Sequence, residues 1–129
     1  MERFICADDV GQAINPKSVV GQIDGGTVQA LGYALLEDFQ MADGRVLMGR
    51  LSTYLIRTVL DVPEDCDALI VQVPDPRDPC GARGMGEMPS LPAAAVISNA
   101  LRDATGIHFD EFPLIPQRVL KKLRQPSAG

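Results

Sequence analysis

Residues 81–87 read Gly-Ala-Arg-Gly-Met-Gly-Glu, three glycines leading to one carboxylate. A backbone so rich in glycine can approach a ligand closely and turn its N–H groups toward it. Glu87 has Met85, Met88 and Leu91 as sequence neighbours. An acid in apolar company has its pKa raised by desolvation, which suits a general base near neutral pH. The plainer reading is that Glu87 precedes a helix and favours its dipole; on spacing alone that is the commoner outcome. The order G-x-x-G-x-G is not the dinucleotide fingerprint G-x-G-x-x-G, and no Lys-Ser/Thr follows as in a phosphate loop. Spacing therefore excludes a glycine-rich nucleotide binder.

A second candidate, Gln22, lies in Gly-Gln-Ile-Asp-Gly-Gly at 21–26. Its carboxamide carries both donor and acceptor, the equipment for reading the edge of a heterocycle. The alternative is an exposed glutamine on a helix whose glycines permit a close crossing, and spacing alone favours it. His108, between Ile107 and Phe109, reads as structural, and Cys80 as a small core residue.

These residues need elements to hold them. Residues 3–7 read as a short strand ending at Asp8-Asp9. Asn15-Pro16 is a helix start, an N-cap followed by proline where its missing donor does no harm. Val20, Ile23, Leu31, Leu35 and Leu36 continue that helix to about Glu37. Glycines 21, 25, 26 and 32 inside it each cost ~1 kcal/mol against alanine, so close approach to another element or a ligand is expected. Asp43-Gly44 between apolar flanks predicts a hairpin. Residues 68–73 read as a buried strand, followed by a proline-rich loop and the glycine turn. A second helix is expected from an N-cap at Ser90 to Thr105, stopped by Gly106, with Ala94, Ile97, Leu101 and Ala104 as its apolar stripe. After a short strand or extended stretch at 107–114, a last helix starts at Pro116 with Val119, Leu120 and Leu123 inward. The fold class is α+β, with mixed strands and helices and no run of βαβ units.

The net charge of −5 argues against a nucleic-acid surface. The cations Arg118, Lys121, Lys122 and Arg124 cluster in the last helix, read as a solvated face whose apolar seam docks on something larger. Three scattered cysteines build neither a zinc nor an iron–sulfur site from this chain alone, and a disulfide framework is not expected. No apolar run is long enough for a bilayer, and acids stand where a signal peptide has its apolar core. A cytoplasmic protein is expected.

Taken in order, Asp9-Val10-Gly11, Ile14-Asn15-Pro16, the 21–26 block, Gln29 to Glu37, Leu60 to Glu64, the 81–87 block and Asn99-Ala100 resemble the end of the molybdopterin-binding subunit of xanthine dehydrogenase/aldehyde oxidase-type hydroxylases. The resemblance runs from about Arg3 to Leu123. It implies that residues 1–125 are the carboxyl-terminal segment of a molybdenum-cofactor-binding domain, with 126–129 a loose tail. It implies Glu87 as the base that takes a proton from the Mo–OH group, and Gln22 as a hydrogen-bond partner of the pterin. Arg83, Gly84, Met85 and Gly86 would lie against the molybdenum end. The metal would be held by pterin sulfurs, with no protein ligand. The implied activity is hydroxylation of an aldehyde or N-heterocycle with water as oxygen source. The pterin is expected in its cytosine dinucleotide form. FAD and 2Fe–2S centres are expected on partner domains or chains, in an oligomer with the rest of the subunit. The alternative is a non-catalytic interaction domain that kept the fold. The chain departs from the pattern at Arg83, commonly lysine, and at Met88 and Arg57, usually prolines.

Overall fold

Asn15 opens the longest element, as expected: its side chain accepts the Ser18 N–H at 3.2 Å and Pro16 takes the first helical position. Such a cap contributes about 1 kcal/mol. In the computed structural model, which describes Met1 and residues 3–124, this helix α1 spans Pro16–Leu35. The tail expected at 126–129 lies outside the described residues. Strand β1 (Arg3–Asp9) precedes α1; the hairpin β2 (Met41–Ala42) and β3 (Arg45–Val46) follows it. Then come β4 (Asp65–Val71), α2 (Ala93–Thr105) and α3 (Pro116–Leu123), with short 3-10 turns at Val59–Asp61, Pro79–Gly81 and Met88–Ser90.

β1 and β4 pair in parallel, Phe4 opposite Cys66 and Asp9 opposite Val71, with α1 in the connection between them. Only one face of this pair is covered. Phe4, Cys6 and Asp8 point inward, while Ile5, Leu69 and Val71 are exposed. The expected buried strand at 68–73 thus begins three residues earlier, ends at Val71, and is half covered. Alternation was hidden in the run because its outward positions are also apolar. The inward face meets the buried side of α1, Val19, Ile23, Ala30, Leu31 and Ala34, and Ile97 of α2 joins the same core. Burial pushes the Cys6 thiol up to about 12, helped by its hydrogen bond to Asp8 at 3.0 Å, so it stays protonated.

Other expectations change in detail. Asp43 and Gly44 both take left-handed backbone and make the predicted hairpin turn. α2 ends at Gly106 as expected, but it starts at Ala93, and Ser90 donates instead to the Glu87 carbonyl at 2.7 Å. Its buried stripe is Ala93, Ile97 and Ser98, rotated away from Ala104, which is exposed. Residues 107–114 form no strand; the Leu114 N–H reaches the Ala34 carbonyl at 2.6 Å. On α3, Val119 is half-buried but Leu120 and Leu123 are exposed. Two of its cations find acids distant in sequence: Arg118 pairs with Asp38 at 3.0 Å, and Lys122 with Asp110. No helix among the described residues is long and apolar enough to cross a membrane.

Candidate functional site

At the carboxyl ends of β1 and β4 the chain makes two corners that lock together. After Val10 it turns through Gly11, whose φ is +63°. There a Cβ would collide with the Gly81 carbonyl oxygen. That contact lets Gln12 donate to Gly81 O at 2.8 Å, Arg83 donate to Val10 O at 2.9 Å, and Gly11 bridge Ala82. The glycine turn of residues 81–87 is therefore carried on the end of β1.

Its far end is carried by α1. Gln22 and Gly26 stand one helical turn apart, on one face. Gln22 Oε1 accepts the Glu87 N–H at a long 3.4 Å. A Cβ on Gly26 would meet Pro89 at 3.3 Å, so this glycine is what lets Pro89 seat against the helix. The close-approach explanation holds for Gly26. Gly21 and Gly25 have nothing within 4 Å of an added Cβ, and no contact among the described residues explains them.

Glu87 takes left-handed backbone, φ 56° and ψ 5°, sparsely populated by residues with a side chain. Its carboxylate is exposed and caps nothing, and α2 begins only at Ala93. The dipole reading of Glu87 is not supported. Neither is the expected apolar burial: none of the described residues covers the carboxylate, because Leu91 is itself exposed and Met85 and Met88 are half-buried. Beside the turn lies a cavity of about 280 Å³ whose lining includes Gln12, Ser18, Gln22, Arg83, Met85 and Gly86. Of the predicted site residues, Gln22, Arg83, Met85 and Gly86 line it directly, with Gly84 and Glu87 in the same turn. A larger apolar hollow of about 530 Å³ is lined by Phe4, Ile97, Leu101, Leu114 and Val119, among others, and by none of them.

Arg83 is turned toward the chain's own acids, Asp9 at 2.6 Å and Asp75 at 3.9 Å. His108 is exposed. Cys80, expected in the core, is exposed at φ 53°; the 3-10 turn at Pro79–Gly81 points it outward. Sequence reasoning missed Gln12 and Asp9. Asp9 accepts the N–H of Gly11 two residues on, at 3.0 Å, and an Asp-x-Gly run is a signature of that turn.

The Asp9 carboxyl lies below its ordinary value because it accepts the Gly11 and Val73 N–H groups and faces Arg83. Asp75 is lowered likewise, by the Arg77 side chain first, then the Arg77 N–H and Arg83. A depressed carboxylate stabilises the fold above its unfolded pKa and loses that contribution as pH falls through the folded value. Measured against the intrinsic exchange rate at each pH, amide exchange at Gly11 and Val73 should therefore accelerate once the pH drops below about 4, more than exchange at Ile23. Equal acceleration at all three would contradict a local carboxylate anchor.

Residues 1–63 match the family described as the molybdopterin cofactor-binding domain. The putative xanthine dehydrogenase molybdenum-binding subunit of Escherichia coli K12 is 32% identical over 124 residues, covering 95% of this chain. The aldehyde oxidoreductase of Megalodesulfovibrio gigas is 35% identical over 117 residues, covering 90%. Quinoline 2-oxidoreductase from Pseudomonas putida 86 superposes with a TM-score of 0.85 at 36% identity, over 97% of this chain and 16% of that one. The chain spans only 16% of the first of these relatives and 12% of the second. By sequence and by fold, then, it belongs to the xanthine dehydrogenase/aldehyde oxidoreductase family of molybdenum-binding subunits and matches a part of their length.

Proposed function

We propose that this segment is the carboxyl-terminal part of a molybdenum hydroxylase subunit, where it supplies the general base and one wall of the cofactor site. The observation that carries the reading is Glu87 itself. An exposed carboxylate held in left-handed backbone, with glycines before it, is a strained arrangement that packing within the chain does not require. The residues present suit a molybdopterin. Gln22 and Gln12 bring carboxamides to one cavity, the chemistry needed at a pterin edge. Gly84 and Gly86 have open space where a side chain would stand, room for a group to approach the backbone.

When bound, that group supplies two-electron redox chemistry with water as oxygen source. The chain's own part is simpler. Glu87 accepts a proton at its carboxylate. Gln22 steadies the Glu87 N–H through Oε1, leaving its NH₂ for the pterin. Met85 and the backbone of Arg83, Gly84 and Gly86 form the wall. The names of the relatives support an aldehyde or N-heterocycle as substrate class, and the word subunit in one of them supports partner chains. We assign the pterin its cytosine dinucleotide form, with 2Fe–2S and flavin centres on partner domains or chains. The setting is taken as cytoplasmic. Leu51, Val59 and Leu60 are 79%, 85% and 92% exposed, apolar surface suited to the remainder of the subunit.

The test is molybdenum and pterin analysis of the protein as assembled in its native source, with co-purifying chains identified. Both should be present alongside a longer homologous chain or iron–sulfur and flavin subunits. A metal-free solitary chain would sink the reading in favour of a docking domain. Gly86→Ala sharpens it. Open space predicts a stability change within about 0.5 kcal/mol by thermal unfolding, yet a reduced molybdenum and pterin content. Full cofactor loading would show that the backbone there faces nothing.

A further inference from the structure

We propose that Asp9 is a positioning residue for the Glu87 turn, acting through Arg83; this rests on the role proposed above for Glu87. One carboxylate ties three segments. Its Oδ1 accepts the Gly11 N–H and the Val73 N–H, each at 3.0 Å. Its Oδ2 accepts from Arg83 Nη1 at 2.6 Å. The β1–α1 corner, the chain leaving β4 and the start of the glycine turn thus meet on a single side chain. Arg83 is fixed a second time by its own N–H on the Val10 carbonyl, 2.9 Å, and faces Asp75 at 3.9 Å.

From Arg83 to Glu87 the chain passes Gly84, Met85 and Gly86. The two glycines touch nothing within 4 Å of an added Cβ. Met85 packs against the core, but the glycines on either side of it leave the backbone free to swing, so the place of Glu87 depends on how well the two ends of the turn are held. Pro89 against Gly26 and the Gln22 oxygen hold the far end. Asp9 holds the near end. Its two oxygens divide the work: Oδ1 closes the turn of its own segment and ties it to the chain leaving β4, whereas Oδ2 reaches a residue 74 positions away and serves only the glycine turn.

That division makes the test. Asp9→Asn keeps an oxygen for the Gly11 and Val73 N–H groups and removes the charge facing Arg83. In the assembled enzyme it should lower kcat by about tenfold to a hundredfold, the scale of an ångström-level misplacement, with KM, molybdenum and pterin content unchanged. Arg83→Gln should give the same fall, and the double variant no more than either alone. In a Glu87→Gln background the effect of Asp9→Asn should vanish, which a general loss of structure would not do. Amide exchange at residues 84–87 should speed up in Asp9→Asn while exchange in α2 does not change. Unchanged kcat and exchange would overturn the proposal, as would a full fall persisting without Glu87, or a fall tracking cofactor loss and lower thermal stability. If Asp9→Asn does not fold, Arg83→Gln carries the test alone. If Glu87→Gln keeps full turnover, the proposed base has failed, and the exchange measurement still decides whether Asp9 anchors the turn.

Discussion

Glu87→Gln in the assembled subunit is expected to lower kcat by about 10²–10⁴-fold, the usual contribution of a positioned general base. The exchange is close to isosteric, and the side chain it alters is exposed, with no hydrogen-bond or ion-pair partner among the described residues. Folding should therefore be untouched, because what holds this residue is its backbone: the N–H on Gln22 and the carbonyl that accepts from Ser90. Cofactor content should stay at the native level. The prediction separates proton transfer from architecture. Glu87→Asp, which keeps the charge but withdraws it by one methylene, should fall between native and glutamine. Native turnover in Glu87→Gln, with molybdenum and pterin present, would remove Glu87 from the chemistry.

Gly11→Ala should be the most damaging single substitution near the site. At φ +63° a side chain costs about 1–2 kcal/mol in any setting. Here the added carbon also meets the Gly81 carbonyl oxygen, a backbone atom that cannot swing aside. That carbonyl accepts from Gln12 and Asp75, so moving it loosens both corners. A loss of about 3 kcal/mol is expected, some ten degrees in the unfolding midpoint for a domain near this size. Cofactor content should fall with it, since the displaced residues begin the Glu87 turn. The measurements are thermal unfolding and molybdenum content; a midpoint within two or three degrees of native would mean the corner relaxes freely.

The two variants differ in what made them legible. Glu87 stands out in the sequence as an acid after a glycine run, and the type of turn could be read there. Its surroundings could not. Met85, Met88 and Leu91 suggested an apolar pocket, yet this chain leaves the carboxylate exposed. Composition near a residue does not tell which way its neighbours face. Nothing in the residues around Gly11 tells that Gly81, seventy positions on, lies against it. Cys80 shows the same limit from the other side: small and apolar by type, it is exposed because a left-handed backbone turns it outward.

What the sequence by itself determined was local. The start of α1 at Asn15-Pro16, the hairpin at Asp43-Gly44 and the stop at Gly106 follow from backbone preferences of a few adjacent residues, which act wherever the chain goes. The glycine spacing that ruled out a nucleotide loop was equally local. The tertiary structure decided the rest. It paired β1 with β4 in parallel, set Gln22 against the Glu87 N–H, and brought Asp9 to Arg83. Each of these joins residues more than sixty positions apart. Such contacts are selected by the burial of one face of α1 on one face of the sheet, a property of the whole packed chain that no short window of residues contains.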